Sequence, residues 1–263
     1  MEQFLAEQLQ AQKDKRDYAL VTIVKTEGIT PRNIGSKMLV FSDASTLGSV
    51  GGGMVEKNVI ADTLQCIKEK ANELKEYENF SQDDGSECTG KIQVFIETIM
   101  SKPHLVICGA GHVGTAVANI AKSAGYFVTA VDTRKPIAES NIQHVVDEFI
   151  HINDYREGID SLQVSPGAYF LVSSHEHSED ANILAAVLLK EPKYVGMLGS
   201  KKKIEYVFEQ MREEGFKDEQ LNSVNTPIGL DIGGELPEEI AISIVAEMQM
   251  VRYDTGGGPL KDK

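Results

Sequence analysis

"VICGAGHVG", residues 106–114, runs a short apolar segment straight into Gly109, Gly111 and Gly114. The spacing is G-x-G-x-x-G, the signature of a strand, a tight turn and a helix. The first two glycines permit the turn and close backbone approach, and the third lets the helix pack on the strand. The helix N-terminus then faces an anion. The surroundings agree with this reading. A helical stretch follows over 112–124, and "YFVTAVD" (126–132) returns as a strand ending in Asp132. An acid roughly 20 residues beyond the turn is where such folds hold a ribose diol. The turn alone does not choose between the pyrophosphate of a nicotinamide dinucleotide and some other phosphate.

Outward from the turn, the rhythm of short apolar strands alternating with helices begins at His104. Strands are expected at 104–108, 127–131, about 144–147, 168–173 and 193–198, with helices notably at 112–124 and 179–190. Alternation of this kind predicts a Rossmann-like, doubly wound parallel sheet with helices on both faces. A last helix starts at "LPEE", with Pro237 near its first position and Glu238 and Glu239 in its first turn. "SKP" at 101–103 marks a boundary. The expected organisation is an N-terminal α+β domain over 1–101 and a C-terminal Rossmann-like domain over 102–263. In the smaller domain a helix is expected at 2–12, strands at 18–26 and 37–41, and helical periodicity from Met54 to about Glu76. "KIQVFIETI" (91–99) alternates as a strand with Ile92, Val94 and Ile96 on one face.

Lys+Arg 26 against Asp+Glu 40 leaves a formal charge of −14. That field repels nucleic acid and anionic membrane surfaces, so neither is an expected partner, and any anionic ligand needs a local pocket. Cys66, Cys88 and Cys108 are too irregularly spaced for a disulfide framework or a zinc knuckle. No apolar run approaches the roughly 18–20 residues of a membrane span, and no signal-peptide pattern opens the chain. A cytoplasmic protein is expected.

Several further segments carry candidate chemistry. Arg32, in "EGITPRNIGSKMLVF" (27–41), could fork onto a phosphate or carboxylate. Gly51, Gly52 and Gly53 precede a helix, so their amides could nest an anion. Glu56, in that helix's first turn, suits the dipole but opposes a phosphate beside it. His112 lies in the glycine turn. His175 and Asp180, in "SSHEHSED" (173–180), follow a strand, with Ser178 a candidate helix cap; they read as site-lining polar groups, since no third convergent ligand suggests a metal. In "GMLGSKKK" (196–203), Ser200, Lys201 and Lys202 begin the strongest positive cluster of the chain, at a helix start. A ligand is expected above the carboxyl ends of the Rossmann strands, lined by His112, His175 and Lys201. Cys88, in a glycine-flanked polar loop, is the thiol available for soft-ligand or sulfur chemistry.

Taken in order, these segments resemble the xanthine dehydrogenase accessory family, often called XdhC/CoxI. The likeness covers nearly the whole chain. It runs from Gly28-Ile29-Thr30-Pro31-Arg32, Gly35 and Met38, through the Gly51–Gly53 triplet with Glu56, to the Rossmann turn, Asp132, His175, Asp180 and "MLGSKKK". "TPIGLDIGGELPEEIAISIVAE" (226–247), with Pro227, Gly229, Leu230, Gly233, Pro237 and Glu238, is its most specific part. Two positions depart: Ile29 stands where the family usually has Ser, and "CTG" (88–90) where it commonly has Cys-Gly-Gly. The resemblance implies a chaperone of purine catabolism rather than the catalyst itself. Such a protein binds the molybdenum cofactor, as molybdopterin or a dinucleotide form, protects its sulfurated state and hands it to an apo molybdenum hydroxylase. The cofactor contacts so implied are Arg32, Gly51, Gly52, Gly53, Glu56, Gly109, Gly111, His112, Gly114, Asp132, His175, Asp180, Ser200, Lys201 and Lys202, with Cys88 as a sulfur ligand. A cysteine desulfurase as second partner and a homodimer belong to the same expectation. The competing reading is an NAD(P)-dependent oxidoreductase using the Gly109–Gly114 turn and Asp132.

Overall fold

Residues 2–80, 89–135, 142–175 and 177–262 are described by a computed structural model, excepting the side chains of Asn79, Phe80, Thr89, His177 and Asp262. The chain divides into two units, Met1–Ser101 and Lys102–Lys263.

The first unit holds α1 (Glu2–Lys13), β1 (Tyr18–Gly28), β2 (Lys37–Phe41), β3 (Thr46–Gly48), α2 (Gly53–Glu69), β4 (Glu73–Phe80) and β5 (Thr89–Ile99). Its sheet is antiparallel throughout, in the order β3-β2-β1-β5-β4. Strand period two sends Ala19, Val21 and Ile23 of β1, with Ile92, Val94 and Ile96 of β5, against Val55, Val59 and Ile67 of α2. Tyr18, Leu39 and Phe41 turn the other way and pack with Ala11 of α1.

The helix expected to run to about Glu76 stops at Glu69. Lys70 takes the left-handed conformation (φ 55), and the Ala71 amide closes back on the Cys66 carbonyl at 3.0 Å. "ELKEYENF" has the composition of a helix but pairs with β5 from Glu73↔Ile96 to Phe80↔Thr89. Ladder hydrogen bonds outweigh the weak local propensity. As an edge strand it is suitably charged, with Lys75 lying 3.0 Å from Glu73 and 3.3 Å from Asp62.

The second unit holds β6 (His104–Cys108), α3 (His112–Ser123), β7 (Phe127–Asp132), α4 (Ile142–Val145), β8 (Glu148–His151), α5 (Tyr155–Ser161) and β9 (Tyr169–Val172). It continues with α6 (His177–Leu188), β10 (Tyr194–Met197), α7 (Lys201–Glu213), α8 (Asp218–Leu221), β11 (Val224–Asn225), α9 (Pro237–Tyr253) and a 3-10 turn at Leu260–Asp262. All strand pairs are parallel, in the order β11-β10-β9-β6-β7-β8. This is the doubly wound arrangement, with its switch point between β6 and β9. Both faces are covered, which is why the inner strands are apolar without alternation. Val106 and Cys108 face Ile159, Leu184 and Val207 of α5, α6 and α7. Leu105 and Ile107 face Val117 of α3 with Ile244 and Met248 of α9.

Some expectations need correction. Residues 142–145 form α4, and the third strand falls later, at 148–151, where register with β7 aligns Asp132 with His151. The short β11 lies outside the expected strands, since two residues carry no periodicity. Ser178 lies inside α6 rather than capping it. Among the described residues no helix is long and apolar enough to cross a membrane.

Candidate functional site

The glycine turn joins the carboxyl end of β6 to α3, at the switch point. Gly109 has φ +105, and a Cβ there would collide with the Ser173 carbonyl oxygen beyond β9. A Cβ at Gly114 would stand 2.5 Å from the Gly109 oxygen. Internal packing therefore dictates both glycines. Ser173 ties the two loops together, its amide donating to Cys108 O (2.9 Å) and its hydroxyl to Gly109 O (2.9 Å).

Gly111 differs. Its backbone is ordinary (φ −73), it caps α3 without a side chain, and a Cβ would meet nothing within 4 Å. The first turn of α3 contains no acid and, among the described residues, no side chain caps it, so its amides keep the partial positive charge of a helix start. They open on a cavity of about 760 Å³ bordered by His112, Arg134, Ser174, His175, Leu198 and Glu238. Both histidines are exposed at its rim. Lys201 does not border it.

Asp132 is fully buried and its acceptor positions are filled. Oδ1 accepts from the Arg134 amide (2.9 Å) and Nε (2.9 Å); Oδ2 accepts from the Ala110 amide (2.8 Å) and Arg134 Nη2 (2.7 Å). Burial alone would raise the Asp132 carboxyl. The Arg134 fork and the Arg134 and Ala110 amides outweigh it and hold the group below the usual carboxylate range. Asp132 therefore fastens the turn to β7 rather than presenting free oxygens. Arg134 also borders a second, smaller cavity of about 140 Å³, with Thr133, Asn153, Asp154, Tyr155 and His175.

Asp180, expected to line the site, is also fully buried. It accepts from the Ser174 hydroxyl and pairs with Lys203 Nζ, which donates as well to Leu198 O at 3.1 Å. This cluster joins the loop after β9, α6 and the start of α7 beneath the cavity. Cys108 lies nearby in β6, where burial, reinforced by the Asp180 charge, pushes its thiol far up; it is packing. Ser200 is the cap of α7, accepting from the Lys203 amide at 3.4 Å. Lys201 and Lys202 are exposed and carry no ion pair among the described residues.

In the first unit the glycine loop is partly engaged by Glu56. Glu56 Oε2 accepts from Ser49 Oγ (2.6 Å), the Val50 amide (3.1 Å) and the Gly52 amide (3.1 Å). Burial favours the neutral acid, but the Ser49 hydroxyl and the loop amides prevail and lower its pKa. Glu56 thus caps this loop from within, taking the Val50 and Gly52 amides, while the Gly51 amide donates to Ser49 Oγ (3.2 Å). The Arg32 loop lies beside it: the Pro31 ring is 3.8 Å from where a Gly51 Cβ would stand. Thr30 Oγ1 donates to Arg32 O (2.9 Å), so this loop has a hydroxyl bond although Ile29 replaces the usual Ser. Arg32 itself is exposed. Cys88 lies outside the described residues.

Sequence reasoning missed Arg134, Ser174, Leu198 and Glu238 at the cavity. Arg134 had a signal, standing two residues after a strand-ending acid within reach of a bidentate pair. Glu238 arrives through the 226–247 segment. Glu239 accepts from the Glu235 (2.8 Å) and Leu236 (3.0 Å) amides, and Glu247 from the Gly229 amide (2.8 Å) and Tyr194 hydroxyl (2.8 Å). These bonds fix the start of α9 at the cavity edge.

Residues 105–248 match the profile of the XdhC Rossmann domain, and residues 11–78 that of the XdhC and CoxI family. "Uncharacterized protein YqeB" of Escherichia coli K12 is 32% identical over 244 residues, covering 92% of this chain. The chain spans only 44% of that relative's length. A probable xanthine dehydrogenase component of Bacillus subtilis 168 is 23% identical, covering 91% of this chain and 94% of its own. The "Molybdenum cofactor insertion chaperone PaoD" of Escherichia coli K12 is 22% identical, covering 89% and 83% respectively. A crystal structure described as a xanthine dehydrogenase from Bacillus halodurans shares the fold, with a TM-score of 0.51 and 21% identity over 98% of this chain and 97% of that one.

Proposed function

This chain belongs to the XdhC and CoxI family, and from that premise we propose that it is a molybdenum-cofactor-binding chaperone. It keeps the cofactor in its sulfurated state and delivers it to an apo molybdenum hydroxylase of the xanthine dehydrogenase type. The observation that carries this reading is the open Gly111 corner, where unfilled α3 amides face a cavity of about 760 Å³. That volume lies within the roughly 300–1,000 Å³ of small-molecule pockets. The phosphate of the pterin cofactor suits the amides of α3, because a helix start offers N–H donors and positive potential together. His112 and His175 offer ring nitrogens at the rim. When bound, the cofactor supplies molybdenum chemistry to the enzyme that receives it; this chain's own residues hold and shield.

Two features favour holding over catalysis. Asp132 and Asp180, the buried acids beside the turn, are each matched by an internal cation, which suits a rigid cradle better than proton transfer. Arg32, in the first unit, is exposed and supplies a planar fork for an acidic surface of the receiving enzyme. A cysteine desulfurase as the sulfur source and a homodimer as the working state complete the proposal.

The decisive measurement is cofactor content. Protein produced together with the cofactor's biosynthetic enzymes is desalted and oxidised, and its pterin fluorescence is compared with that of an unrelated protein from the same cells. Pterin in stoichiometric range supports the chaperone; none above the control refutes it.

A further inference from the structure

Four donors reach Asp132, and a carboxylate offers about four lone-pair sites. At this place in a dinucleotide fold the acid ordinarily meets a ribose 2′,3′-diol. Here the diol would have to displace the Arg134 fork, giving up two charge-assisted bonds to a carboxylate that no water reaches. Space points the same way. The cavity beyond Arg134, toward β8 and α5, is about 140 Å³, roughly half the lower end of small-molecule pockets. The ample space, about 760 Å³, borders the turn and α3 instead. Arg134 spends two of its five N–H donors on Asp132, and a third of its side chain remains exposed at the rim of both cavities.

We propose that Arg134 is the residue that selects the ligand of this turn. By closing the ribose position on Asp132, it restricts the site to ligands that end in a phosphomonoester and turns away those that continue into a nucleotide ribose. The proposal rests on the phosphate-site reading above and sharpens it: the cofactor held is the pterin phosphate without an attached nucleotide, and nicotinamide dinucleotides are excluded by the same residue.

Two measurements test it. In the first, cofactor loaded during co-production is released with acid, and pterin and nucleotide are both quantified. Pterin without nucleotide is expected, and equimolar nucleotide overturns the proposal. In the second, NADH binding is followed by fluorescence in the wild type, Arg134→Ala, Arg134→Lys and Asp132→Asn/Arg134→Ala. The wild type should not bind NADH at ordinary micromolar levels. Arg134→Ala should bind it at least about tenfold tighter, the worth of one or two hydrogen bonds to a charged acceptor. The double variant should lose that gain. Arg134→Lys retains the charge that neutralises Asp132 but contacts it through a point donor, so it remains folded and should show an intermediate gain. Wild-type affinity for NADH equal to that of Arg134→Ala and Arg134→Lys overturns the proposal. The two readings fail separately: absence of any pterin removes the chaperone while the NADH series still judges Arg134, and a pterin-loaded wild type that binds NADH removes only the selector.

Discussion

Replacing Lys203 by Met should destabilise the second unit far more than removing Lys201 and Lys202 together. Lys203 Nζ lies against Asp180 and donates to Leu198 O; its side chain is 10% exposed and that of Asp180 is 0% exposed. Without the ammonium, Asp180 keeps the Ser174 hydroxyl as its one side-chain donor among the described residues. Stranding one member of a buried pair costs about 3–5 kcal/mol. The lower end applies here, because Ser174 still donates and a cation in the first turn of α7 opposes the helix dipole by about 0.3–1 kcal/mol. A loss of about 3 kcal/mol, with a slope of about 2 kcal/mol per molar urea, lowers the midpoint by about 1.5 M. Urea unfolding followed by far-ultraviolet circular dichroism reads this directly. Lys201→Ala/Lys202→Ala should stay within about 0.5 kcal/mol of wild type, as exposed substitutions usually do. Asp180→Asn/Lys203→Met should recover part of the loss, since removing both charges leaves none stranded. A Lys203→Met midpoint close to wild type, or a double variant no better than the single, would refute the claim that this lysine serves the fold.

Glu56→Gln should cost about 1–2 kcal/mol at neutral pH, because the charged acceptor of one hydroxyl and two amides is lost. Since the folded pKa of Glu56 lies below its ordinary 4.5, its contribution is present above about pH 4.5 and disappears as pH falls through the lowered folded value. The gap between wild-type and Glu56→Gln urea midpoints must therefore narrow in acid; a gap that is constant with pH contradicts the account. Gly111→Ala should fold normally, within about 1 kcal/mol, yet retain less cofactor after gel filtration, because its methyl enters the cavity and meets no protein atom. Gly109→Ala should fail at the level of folding, given the collision of its methyl with Ser173 O. Equal melting curves for the two alanine variants would contradict this division. Arg32→Ala should weaken cofactor retention by roughly tenfold if its fork becomes desolvated on binding, and Lys201→Ala/Lys202→Ala by less. Retention unchanged in Arg32→Ala would remove Arg32 from the cofactor contacts.

The sheet of the second unit was legible because its signal is physical and repeated. Buried parallel strands must be apolar on both faces, and each crossover helix needs a turn, which Gly109 and Gly114 mark. Failures came where long-range pairing outranks local pattern, as in "ELKEYENF" on the sheet edge, or where an element is too short to have a pattern, as in β11. The candidate site was legible in part: His112 and His175 border the cavity and Lys201 does not. By sequence, Asp132, Asp180 and Glu56 are equally expected as contacts. Only the folded chain reveals that each acid is already engaged by protein donors, because satisfaction of a hydrogen-bonding group depends on neighbours far apart in sequence, such as Lys203 for Asp180.

That internal engagement also answers how so acidic a chain could receive an anion. A formal charge of −14 acts at long range, but at physiological salt each charge is screened beyond about 8 Å. What matters at the turn is the local sum. Asp132 is cancelled by Arg134 and Asp180 by Lys203, so these two carboxylates present little field to a ligand at α3's N-terminus. Among the described residues, Glu238 of α9 borders the same cavity as the first turn of α3 and opposes its positive end. One exposed carboxylate opposite a bound phosphate weakens the grip without abolishing it. On the chaperone reading proposed above, an affinity held below the attainable maximum is an advantage, since release to a receiving enzyme would need only a modest difference in binding free energy.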